Sequence, residues 1–69
     1  MLVTEHVAGR ADVFATLSGE QAVRNLDALA DRLRELGVEC VTFTDWHLPA
    51  ADDAALREVF ADVGVRLCA

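Results

Sequence analysis

The chain has no lysine and only two cysteines. Without lysine, its six cationic residues are all arginine; they face 12 acidic residues, and the resulting net charge of -6 repels phosphates. Neither nucleic-acid binding nor docking on an anionic membrane surface is expected of such a chain. Arginine without lysine, beside many alanines, is also what a GC-rich bacterial genome produces, so no function is read from it. Cys40 and Cys68 lie too far apart in sequence to look like a disulfide framework, and the first seven residues carry Glu5 and alternate in polarity instead of forming an export signal. A cytoplasmic protein with free thiols is expected. No apolar run approaches the ~20 residues that a membrane-spanning helix needs. Also missing are a phosphate-cradling glycine loop, a Cys-x-x-Cys pair and any interleaving of aromatic and basic residues suited to single-stranded nucleic acid.

What remains is short and apolar. Sixty-nine residues allow one domain, spanning 1–69. A chain of this size buries only ~60% of the surface its unfolded form exposes. An apolar content of 54% is high for so much surface, which predicts that part of it faces another subunit.

The stretch from Ser18 to His47 organises the chain. Ala22, Leu26, Leu29, Leu33 and Leu36 recur at three- and four-residue steps, opposite Arg24, Asp27, Asp31, Arg34 and Glu35, which predicts an amphipathic helix. Ser18 followed by Gln21 has the form of a capping box at its start, and Gly37 stands where a left-handed stop costs least. Ahead of this helix, Leu2 to Val7 is expected as a first strand, Ala8-Gly9-Arg10 as a turn and Asp12 to Leu17 as a second strand. After it, Val38 to Thr44 carries apolar or small residues on both faces, as an interior strand does. Pro49, with Asp52 and Asp53 behind it, opens a second helix whose buried face is Leu56, Val59, Phe60 and Val63. Gly64 ends that helix, and Val65 to Cys68 forms a last strand. The expected architecture is α/β: a small two-layer domain of order β-β-α-β-α-β, with two helices packed on a mostly parallel four-stranded sheet. Crossovers that all march in one direction would leave the other sheet face bare, which favours a dimer.

Chemistry is expected beyond the carboxyl ends of parallel strands, where Asp45-Trp46-His47 falls. Asp45 and His47 offer a carboxylate and an imidazole to one divalent metal, with Asp53 close enough in sequence to add a third ligand. A plain strand-to-helix loop, with Asp45 capping amides, Trp46 packed over the core edge and His47 solvated, accounts for the same residues and is preferred, because the ligand set is incomplete. His6 is expected to be exposed or hydrogen-bonded. Cys40 reads as a small buried hydrophobe. Cys68 is either packed at the sheet edge or presented as a thiol to a modifying enzyme.

Asp12-Val13 on a strand, followed by a helix and a strand ending in Asp45-Trp46-His47, resembles the opening of the nicotinamidase and isochorismatase-like hydrolases. The resemblance covers Asp12 to Asp53. It implies Asp12 as the catalytic acid and Asp45 and His47 as metal ligands. This chain departs from the family in having no lysine, and in carrying Asp53 near the place of the second ligand histidine. The leading expectation is a small acidic interaction or assembly module without enzymatic activity or cofactor, which forms a homodimer or docks on a larger protein. The alternatives are a folded carrier or precursor peptide modified at Cys68-Ala69, and a metal-dependent site at Asp45 and His47.

Overall fold

The computed structural model describes residues 1–19 and 22–69. Three helices and three parallel strands follow one another as β1 (Leu2–Val3), α1 (Arg10–Leu17), α2 (Leu26–Leu36), β2 (Cys40–Phe43), α3 (Ala50–Asp62) and β3 (Arg66–Cys68). This small mixed α/β fold corrects the expected β-β-α-β-α-β order. The sheet has three strands, not four, and the segment from Asp12 to Leu17 is a helix.

The side chains explain that difference. A strand over this segment would bury Val13, Ala15 and Leu17 on one face; instead Val13, Phe14 and Leu17 are buried and Ala15 is exposed, which is helical spacing. Asp12, in the first turn of α1, reaches back so that its Oδ2 accepts from the Ala8 amide at 2.8 Å, satisfying one of the donors that precede a helix. Ser18 ends α1 and does not cap the next helix: its hydroxyl donates to the Phe14 carbonyl at 2.7 Å and accepts from the Val23 amide at 2.9 Å. The proposed partner of Ser18 in a capping box, Gln21, lies outside the described residues.

The amphipathic helix therefore begins later than its apolar stripe. Asn25 caps α2, its Oδ1 accepting from the Ala28 amide at 2.8 Å. Gly37 closes it at φ 64°, a conformation that costs glycine little. Arg32 leaves α2 to donate from Nε to the Leu17 carbonyl at 2.9 Å, and a Cβ at Gly19 would collide with its guanidinium. Pro49 precedes α3, whose first turn holds Asp52 and Asp53. Asp52 Oδ1 takes Arg10 Nε at 2.8 Å, joining α3 to α1.

Strand order in the sheet follows chain order, β1-β2-β3, and both pairs are parallel. Leu2 pairs with Thr42 and Thr42 with Cys68, so these three side chains form one row; Val3 pairs with Phe43 and Val41 with Leu67. The three helices touch one another pairwise, and the core joins their apolar faces to Val3, Val41 and Phe43. Leu56 and Phe60 of α3 and Leu29 and Leu33 of α2 are at most 1% exposed within it. All three helices thus cover one face. On the other stand Leu2, Cys40, Thr42, Arg66 and Cys68, each exposed or half-buried. No helix among the described residues is long and apolar enough to cross a membrane.

Candidate functional site

The expected first strand, Leu2 to Val7, is paired in two pieces. After β1 the chain bows outward and returns at Val7, which forms an isolated parallel bridge to Trp46. Its amide donates to the Asp45 carbonyl at 3.0 Å, and its carbonyl accepts from the His47 amide at 2.8 Å. Val7 has no exposed surface, so this short junction is anchored in the core. The loops beyond β1 and β2 are thereby joined at the carboxyl ends of two parallel strands.

That junction places His6 beside Asp45 and His47. Asp45 sits between the two imidazoles: its Oδ2 is 3.2 Å from His6 Nδ1 and its Oδ1 2.6 Å from His47 Nε2. The rings lie beside each other, with centroids 5.2 Å apart and planes tilted by 32°. One ligand atom from each of the three side chains falls within 4.8 Å of the other two. Partial burial raises the Asp45 pKa, but the hydrogen-bonding and charge of His6 and His47 outweigh it and hold the carboxyl below its ordinary value. Asp45 is an anion that draws positive charge to itself. All three side chains remain open to solvent.

The other expected residues lie elsewhere. Asp53, anticipated as a ligand, faces away from this group: Oδ1 accepts from Trp46 Nε1 at 2.8 Å and Oδ2 from Arg57 Nε at 2.9 Å. Those bonds, Arg57 first and then Trp46, lower the Asp53 pKa. Trp46 packs edge-on against Phe43, with ring centroids 5.0 Å apart, and the Arg57 guanidinium lies 6.0 Å from its ring centre. Asp53 therefore steadies Trp46, and through it the bridge that aligns Asp45 and His47. Asp12, implied as a catalytic acid, stands in the first turn of α1, bonded to Ala8, and not on a strand. Cys40 and Cys68 are free thiols, both half-buried on the open sheet face, and Cys40 Sγ lies 3.9 Å from Thr42 Oγ1.

His6, expected to be exposed or hydrogen-bonded, is the site residue that sequence reasoning did not join to Asp45 and His47. The β1–β2 register does not reveal it, since extending the Leu2–Thr42 pairing would set His6 level with Trp46 and on the opposite face from Asp45 and His47. The Val7–Trp46 bridge is shifted by one residue, and that shift sets His6 level with Asp45.

No family model, curated protein or solved structure matches this chain.

Proposed function

We propose that this chain is an interaction module whose open sheet face is covered by a second copy of itself. The observation that carries the reading is a parallel sheet with helices on one side only. Parallel sheets occur almost solely with both faces covered, because their strands carry apolar or small residues on each. The free face here holds Leu2, Cys40, Thr42 and Cys68, with Arg66 its one charged side chain, in a protein where charged residues make up 26% of the sequence. Leu2 is 66% exposed, an apolar side chain left in water at the end of the Leu2–Thr42–Cys68 row.

The row is self-complementary. A two-fold axis along β2 would set Leu2 of each copy over Cys68 of the other, a large side chain against a small one, with Thr42 at the centre. Two sheets packed this way lie about 10 Å apart. The reading is of a module that acts by binding, and the His6–Asp45–His47 group supplies imidazoles oriented by a carboxylate, which are two of the three parts of a nucleophilic site.

Light scattering over a wide concentration range tests the reading. The expected result is twice the monomer mass, with Thr42→Arg reduced to a monomer of unchanged helical content. Cys40 and Cys68 should then react more slowly with iodoacetamide in the dimer than in that variant. A parent chain that stays monomeric at all concentrations would overturn the proposal.

A further inference from the structure

We infer that His6, Asp45 and His47 form a mononuclear site for a first-row transition dication, with zinc the natural probe. Two imidazole nitrogens and one carboxylate oxygen are the donor types such metals take, and three protein ligands leave at least one position for water or a small ligand. Proximity alone would be weak support, since exposed charges often cluster. Three further observations point to a site.

The first is preorganisation of the backbone. His6 is adjacent in sequence to Val7, and Asp45 and His47 flank Trp46, so the single Val7–Trp46 bridge fixes the main chain of all three ligands. A fully buried Val7 holds one side of that bridge and Trp46, tied to Phe43 and Asp53, holds the other. Such supporting contacts are what keep ligands oriented before a metal arrives.

The second is the fit. Zinc bonds of about 2.0–2.1 Å in a tetrahedral site put ligand atoms about 3.3 Å apart. Here the carboxylate oxygens already stand 2.6 and 3.2 Å from the two imidazole nitrogens, and no pair of the chosen atoms exceeds 4.8 Å. Closing the largest gap takes about 1.5 Å of movement, which the two imidazoles, 61% and 64% exposed, have room to make. The third is the charge available. Among the described residues the Asp45 carboxylate is paired only with the two imidazoles, so no arginine competes with a cation for it.

Calorimetric titration of the folded chain with zinc chloride, followed in parallel by Trp46 fluorescence, tests the inference. One zinc per chain is expected, with a change in Trp46 emission because its neighbours in sequence become ligands. His6→Ala, Asp45→Asn and His47→Ala should each weaken binding by at least ~10-fold, no less than the loss of an outer-shell partner costs. Asp31→Asn, an exposed acid on α2, should change it less than twofold. All four positions are on the surface, and circular dichroism would verify that the variants fold. Three results would overturn the inference: no saturation at one equivalent, half an equivalent per chain, or His6→Ala binding zinc like the parent. Repeating the titration on monomeric Thr42→Arg keeps the outcome independent of dimer formation.

Discussion

At the scale of single residues, Asp53 and Asp45 show how the same side chain takes different work from its neighbours. Both carboxyls are held below their ordinary pKa of 3.8, Asp53 by Arg57 and Trp46, Asp45 by two histidines. For Asp53 the consequence is a dependence of stability on acid. Because the folded state binds the proton less readily than the unfolded state, its contribution is complete well above pH 3.8 and is lost as pH falls through the lowered folded pKa. Asp53→Asn should therefore melt below the parent at pH 7, and the gap should narrow as the solution is taken below about pH 4. Thermal melts of both proteins from pH 7 to 3 check this. A gap that widened toward low pH would mean that Asp53 contributes through something other than its charge.

At the scale of elements, α1 and α2 show where a pattern misleads. The segment from Asp12 to Leu17 is rich in β-branched and aromatic residues, so propensity favours a strand. Burial of Val13, Phe14 and Leu17 against α2 and α3 made it a helix, with Asp12 ready at the first turn to support one. Propensity differences of a fraction of a kcal/mol per residue are small beside the burial of three large side chains. In α2 the apolar stripe extends back to Ala22, but the helix starts where Asn25 can cap it. Asn25→Ala should cost ~1 kcal/mol, within the usual 0.5–2 kcal/mol range for lost caps. In a domain of this size that is a fall in Tm of about 4–8 °C, measurable by calorimetry or circular dichroism. The ends of both long helices were easier to read: Gly37 and the Pro49-to-Asp53 signal stand where the structure puts them.

At the scale of the molecule, the decisive fact is strand order. A β1-β2-β3 sheet built from successive crossovers leaves one face without a layer of helices. A monomer of 69 residues with an uncovered parallel sheet has little apolar burial to set against its conformational entropy. In the proposed dimer, association contributes to folding stability as well as to function. The Tm of the parent should rise with protein concentration, while that of Thr42→Arg should not. Scanning calorimetry at concentrations differing ~100-fold, a range worth ~2.7 kcal/mol to a tightly coupled equilibrium, separates the two cases.

The sequence by itself determined the parts whose causes are local: the apolar faces of α2 and α3, the glycine stop after Leu36, the acidic first turn of α3, the apolar core of β2 and the polar triplet beyond it. Each depends on residues within one or two turns of one another. Tertiary structure alone decided that Asp12 to Leu17 would be a helix, that the sheet would have three strands, and that His6 would stand beside Asp45 and His47. Those outcomes rest on contacts between segments distant in the chain, whose burial energy outweighs local preference and whose register no nearby residue encodes.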